Sequence, residues 1–161
     1  MNTSFQRTSA SDEWYTPKWL IDALGEFDLD PCAPQTPLWK TANRMVDKDE
    51  DGLSFDWGGV RTWCNPPYSQ PLLSQFCRRM ADNGNGILLV FARTGNKTFQ
   101  EMLRRCDAVL FLRHRIRFFL PDGKQGGSPG CDSALLAFGQ QNVTALRQSN
   151  IEGALIVKGH D

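Results

Sequence analysis

The 161-residue chain has no net charge, with 18 basic side chains set against 18 acidic ones, and this argues against a polybasic arm of the kind that tethers a protein to nucleic acid or membrane. It also lacks a long apolar run. Its longest uncharged apolar run, GILLVFA from Gly86 to Ala92, is far short of the ~20 residues needed to cross a bilayer. The opening MNTSFQRTSASDEW has no apolar region of the sort a secretory signal requires. Cys32, Cys64, Cys77, Cys106 and Cys131 are an odd number of cysteines with no C-x-x-C pair, a usage that fits neither a disulfide framework nor a zinc site. A cytoplasmic protein with no metal and no membrane partner is therefore expected. The chain shows no internal repeats or low-complexity tracts. Its length suits one compact domain that buries roughly two-thirds of its unfolded surface, with little room for a second.

Neutrality of the whole conceals a polarised distribution. Between Asp12 and Val60 there are 11 acidic and 4 basic residues, whereas Arg93 to Lys124 holds 8 basic and 3 acidic ones. An anionic partner docking on the second half is compatible with that asymmetry.

Element signals begin with Thr16-Pro17, where Thr16 can cap and Pro17 can open a helix over KWLIDALGEF, with Trp19, Leu20, Ala23 and Leu24 on one face. Phe27 to Asp30 reads as a short strand ended by Pro31. Pro31 to Trp57 is irregular, and long structured loops are commonly functional. VRTWC is a strand closed by Asn65-Pro66-Pro67-Tyr68, and Pro71 to Met80 is an amphipathic helix. ILLVFA has the character of a strand buried on both faces of a parallel sheet. A helix over Thr98–Arg105 and strands over Ala108–Leu112 and Asp132–Gly139 follow, the two strands separated by a turn-rich excursion from 113 to 131. The tail carries a weak helix near Val143–Gln148 and an apolar ALIV. Strands alternating with helices imply an α/β sandwich with ligands at the carboxyl ends of its parallel strands. Residues 1–11 are expected to be flexible, 12–140 to form the domain, and 141–161 to be an extension packed on it or trailing from it.

Two strand ends pass directly into proline-constrained polar turns, Asp30-Pro31-Cys32-Ala33 and Asn65-Pro66-Pro67-Tyr68. In the second, the prolines fix φ, so the Asn65 side-chain oxygen and the Pro66 carbonyl can converge on one amino group. Tyr68 offers a flat face for a planar conjugated group.

Asn65-Pro66-Pro67-Tyr68 resembles the catalytic tetrapeptide of S-adenosylmethionine-dependent methyltransferases that act on exocyclic or amide nitrogens. The ordered set EWYTP, FDLDPCA, EDGLSFDW, TWCNPPYS and RIRF is similar to the phage-type Dam DNA N6-adenine methyltransferases, over roughly Asp12 to Gly139. The resemblance implies a single-domain Rossmann-like methyltransferase sandwich with a mostly parallel central sheet and a final antiparallel strand. It further implies S-adenosylmethionine as cofactor and double-stranded DNA as partner. By the same resemblance Asn65, Pro66, Pro67 and Tyr68 are catalytic, while Tyr15, Thr16, Asp30, Ala33, Asp47 and Asp51 are the candidates for cofactor contact. Arg93, Arg113, Arg115 and Arg117 are the candidates for DNA; the last three alternate in a strand-like segment and share a face, with His114, Ile116 and Phe118 opposite. The glycine-rich loop usual after the first strand is missing, and Ala33 is the small residue in its place. Cys32 follows a proline, as does the nucleophile of cytosine carbon-5 methyltransferases, but on the wrong strand end, so a small buried thiol is expected. The same tetrapeptide also occurs in enzymes acting on RNA or on protein glutamine. A catalytically silent DNA-binding protein on this scaffold is the remaining alternative.

Overall fold

The computed structural model describes residues 14–159; the expected flexible segment 1–11 lies outside them. Helix α1, Lys18–Leu24, buries Leu20, Ile21 and Leu24 and ends at Gly25, whose φ of 86° only glycine adopts without strain. Two expectations for this helix are corrected. Pro17 itself is the cap and Thr16 makes no capping bond, because Thr16 is turned toward the Asn65 amide instead. Trp19 lies on the solvent side, 52% exposed; Ile21 rather than Trp19 completes the inward face at this short helix's spacing.

The remaining elements are β1 Leu29–Asp30, β2 Arg44–Met45, β3 Thr62–Cys64, α2 Leu72–Asn83, β4 Gly86–Phe91, α3 Lys97–Arg105, β5 Ala108–Leu112, β6 Ser133–Phe138, α4 Gln140–Gln148 and β7 Gly153–Val157. They build a single α/β domain around a seven-stranded sheet in the order β2-β1-β3-β4-β6-β5-β7. The expected mostly parallel sheet is not what forms. Pairings within β2-β1-β3-β4 are parallel, but β4–β6, β6–β5 and β5–β7 are all antiparallel. Continuous apolar runs such as those of β4 and β6 report burial on both faces, which the covering helices produce whatever the strand direction. Direction is set by the connection. The β5–β6 link has no crossover helix, so the chain returns antiparallel and slots β6 between β4 and β5. The strand expected to be the last, over Asp132–Gly139, is β6 and is antiparallel, but it is not final: β7 follows it and pairs antiparallel on the outer edge.

Helices cover both faces. On one side α1 and α4 pack Leu20, Leu24, Val143 and Leu146 against Trp63, Ile87, Leu89 and Leu135. On the other, α2 and α3 set Phe76, Met80, Phe99 and Met102 against Cys64, Leu88, Val90 and Leu136. Buried Arg61 fastens the first layer: its guanidinium donates to the Leu24 and Glu26 carbonyls and to Asn142 Oδ1, at 2.6–2.8 Å, and lies 4.2 Å over the Phe27 ring. It thereby satisfies carbonyls that the end of α1 leaves open.

Candidate active site

Parallel neighbours deliver their carboxyl ends to one edge of a sheet, and here β1 and β3 pair with Leu29 beside Thr62. The turns that follow them, expected separately from the sequence, therefore lie side by side. Asp30 and Asn65 line a single cleft with Tyr15, Thr16, Trp39, Thr41 and Trp63.

Asp30 is nearly inaccessible at 3% exposure. Its carboxylate accepts from the Cys32 N–H at 3.0 Å and from the Thr41 hydroxyl at 2.5 Å. Burial outweighs these bonds and pushes its carboxyl up to about 6. Asp30 has no cationic partner among the described residues, and a buried carboxylate so placed favours positive charge. Cys32 sits 3.8 Å from Cys64, sulfur to sulfur. Burial and that neighbour raise the Cys32 thiol well above its ordinary range, so it is held protonated and is no nucleophile.

The Asn65 amide is oriented from both ends. Its NH2 donates to the Trp14 carbonyl at 3.1 Å and to Thr16 Oγ1 at 3.3 Å, and Oδ1 accepts from the Tyr68 hydroxyl at 3.0 Å. One lone pair of Oδ1 stays open, and the buried Pro66 carbonyl accepts no hydrogen bond among the described residues. Tyr68 is half-buried and stacks on Phe91, with centroids 4.3 Å apart and planes at 20°. Burial raises its phenol far above its ordinary value, so the hydroxyl remains a donor. Arg93 is exposed and extends the stack, its guanidinium 5.7 Å from the Phe91 ring centre.

Sequence comparison meets this geometry from outside. The chain matches the DNA N-6-adenine-methyltransferase (Dam) family over residues 3–156. It belongs to that family. A relative from Haemophilus phage HP1 (strain HP1c1), a DNA N-6-adenine-methyltransferase, is 29% identical over 127 residues, spanning 73% of this chain and 72% of the relative. No solved structure matches. As a Dam-family enzyme the chain requires a methyl donor and takes DNA as its substrate.

The other candidate residues of this Dam-family chain are placed less centrally. Ala33 is buried in the turn after β1, and its N–H is taken by the Val46 carbonyl at 3.0 Å. Asp47 uses its carboxylate to accept from the Asp49 and Glu50 N–H groups, and Asp51 to accept from Leu53; both shape their own loop and neither lines the cleft. That loop nevertheless braces the site. A Cβ at Gly52 would collide with the Pro31 carbonyl, so only glycine lets the loop close on the turn after Asp30.

Arg113, Arg115 and Arg117 are all exposed. The strand-like segment expected for them is irregular and reaches an isolated bridge only at Phe119. Ile116 and Phe118 point inward as expected, while His114 is turned to solvent within 3.4 Å of Glu152. Arg113 faces Glu152 at 3.4 Å and Arg115 faces Asp132 at 3.1 Å, while Arg117 has no ion-pair partner among the described residues. Beyond Phe118 the excursion folds back on itself, with Leu120 donating to Lys124 and Gly126 to Phe118. It also pairs with the cleft wall, since Tyr15 and Phe119 exchange both backbone hydrogen bonds at 3.0 and 3.1 Å.

Thr41, Trp39, Trp63 and Phe91 are site-forming residues that the sequence reading did not single out. Trp63 alone left a signal there: it alternates with Cys64 in a strand next to that of Asp30, so its side chain falls on the Asp30 side of the sheet. Among the described residues there is no group of three or more potential metal ligands, and no helix is long and apolar enough to cross a membrane.

Proposed function

We propose that this Rossmann-like methyltransferase domain, encoded by a phage or prophage, transfers the methyl group of S-adenosylmethionine to the exocyclic N6 of adenine in double-stranded DNA. The observation that carries the reading is the shared cleft. A desolvated acid (Asp30) and an oriented amide oxygen (Asn65) stand at the ends of adjacent parallel strands, one suited to a cationic donor and the other to an amino group.

The chemistry of the cleft's lining suits the amino-acid end of that donor. Asp30 would meet the ammonium, and the Thr16 hydroxyl, which accepts from Asn65, keeps its own proton to donate to the carboxylate. When bound, the cofactor supplies an electrophilic methyl group on a sulfonium. Tyr15 builds the wall, its hydroxyl donating to the Thr36 carbonyl at 2.9 Å. Ala33, Asp47 and Asp51 act from the surrounding turns, shaping the floor rather than facing the ligand.

An adenine amino nitrogen is a poor nucleophile because its lone pair is delocalised into the ring. The open lone pair of Asn65 Oδ1 and the Pro66 carbonyl would each accept one amino hydrogen, drawing both out of the ring plane and localising the nitrogen lone pair. Pro67 keeps the turn rigid. Tyr68, backed on one face by Phe91, offers its other face to a base rotated out of the duplex, at a cost of about a few kcal/mol in lost stacking and pairing. Catalysis on this reading is mainly positioning. Arg93, Arg113, Arg115 and Arg117 are assigned to backbone phosphates.

The test is incubation of the purified protein with methyl-labelled S-adenosylmethionine and DNA, RNA or protein substrates in separate reactions. Label on adenine N6 in DNA is expected. Label confined to RNA or to protein glutamine would replace the DNA assignment, and no label with no cofactor binding would leave a silent DNA-binding protein.

A further inference from the structure

Three indoles near the site find very different satisfaction. Trp57 donates to the Gly52 carbonyl at 2.8 Å and Trp39 to the Thr16 carbonyl at 2.9 Å. Trp63 is wholly buried, yet its Nε1–H has no acceptor among the described residues. Buried indole N–H groups normally have a partner, because leaving the donor dry forfeits its hydration with nothing in exchange.

The location of this donor tells what would answer it. The β1–β3 register sets Asp30 and Trp63 in neighbouring rows on the same face of the sheet, and both line the cleft. Phe27 packs against the Trp63 ring with centroids 5.7 Å apart, holding it in place. We propose that the Trp63 indole N–H donates to the carboxylate of the methyl donor's amino-acid end. This rests on the reading of the cleft as the donor site. In an α-amino acid the carboxylate shares a carbon with the ammonium, so a donor beside Asp30 meets the carboxylate once Asp30 has taken the ammonium. Without such a donor the carboxylate would face the Asp30 charge with only the Thr16 hydroxyl to hold it. Trp63 therefore makes the acidic pocket tolerant of a zwitterion and is a discriminating residue for it.

Calorimetry on the full chain and on Trp63→Phe, with two probes, tests this. S-adenosylhomocysteine carries the amino-acid end, and 5′-methylthioadenosine keeps the nucleoside and sulfur without it. The substitution should weaken S-adenosylhomocysteine about 10- to 100-fold, the worth of a hydrogen bond to a charged group, and leave 5′-methylthioadenosine within a factor of about three. Equal weakening of both probes, the signature of a merely structural ring, overturns the proposal, as does no weakening of either. Should Trp63→Phe fail to fold, the wild-type protein with 15N-labelled tryptophan decides. Phenylalanine at each of the other four tryptophans assigns the Trp63 indole signal, which should move downfield with S-adenosylhomocysteine and stay with 5′-methylthioadenosine. A signal that ignores both probes, or follows both alike, sinks the pairing while leaving the donor site intact. If the wild-type protein binds neither probe, the reading of the cleft fails and takes the pairing with it.

Discussion

On the proposed reading Asp30 is a stability cost carried for a ligand, and Asp30→Asn should expose that cost. The carboxyl stands at about 6 in the folded chain against an ordinary 3.8, because burial penalises its charge. The folded state thus holds the proton more tightly than the unfolded one. Below 3.8 both states are protonated and nothing is lost; between 3.8 and about 6 stability falls as pH rises; above that the full penalty stands. Its size is about 3 kcal/mol at most. Asparagine removes the charge and can keep both bonds, its oxygen accepting from the Cys32 N–H and its NH2 donating to the Thr41 hydroxyl. Melting followed by circular dichroism should place ligand-free Asp30→Asn above wild type at pH 8, by up to about 10 °C on the usual scaling for a domain of this size. The difference should close by pH 4. Affinity for S-adenosylhomocysteine should move the other way, weaker in the variant at pH 8, and in the wild type falling by up to about tenfold per pH unit below 6 as Asp30 takes its proton. A variant that melts lower than wild type at pH 8, or a difference indifferent to pH, would refute the reasoning by showing that the carboxylate holds the fold together.

Three other outcomes are expected. Asn65→Ala should cut methyl transfer by at least ~10²-fold, the scale of losing one oriented polar group at a reacting centre, with cofactor affinity changed less than about tenfold; parallel loss of both would reassign Asn65 to cofactor binding. Arg61→Ala strands the Leu24 and Glu26 carbonyls and Asn142, and urea titration should read a loss of about 3 kcal/mol or more with an unchanged m-value; a loss under about 1 kcal/mol would show that water replaces the guanidinium. Replacing Arg113, Arg115 and Arg117 should flatten the salt dependence of DNA binding by roughly one log–log unit per lost phosphate contact, and Arg117, which makes no ion pair among the described residues, should act alone. An unchanged slope would remove these arginines from the DNA face.

What could be read in the sequence was chemistry compressed into contiguous turns. Asn65 to Tyr68 and Asp30 stood out because each lies where a strand passes directly into a proline-constrained polar turn, and the roles expected of them came from the family resemblance. Most helix and strand positions followed from periodicity, but β2 lies in a segment expected to be irregular and β7 was read only as an apolar tail. Strand direction did not, since SALLAF reads the same up or down the sheet and only the helix-free β5–β6 link decides it. Nor did the surroundings of the two turns: Thr41 and Trp39 line the cleft, and Phe91 backs Tyr68, through partners far away in the chain, which no local pattern encodes. Trp19 was misplaced for a related reason, as a short helix has more apolar residues than its buried face can hold.

The antiparallel β5–β6 pairing has a consequence for how such enzymes diversify. The excursion between those strands leaves and re-enters the sheet at adjacent positions, so the sheet closes whatever the excursion's length. Its base is anchored by Phe118 and by the Phe119–Tyr15 pairing, while the backbone hydrogen bonds of its tip, Leu120 to Lys124, close within the tip among the described residues. A change of length or sequence at that tip would leave the cleft and its neighbouring strands untouched.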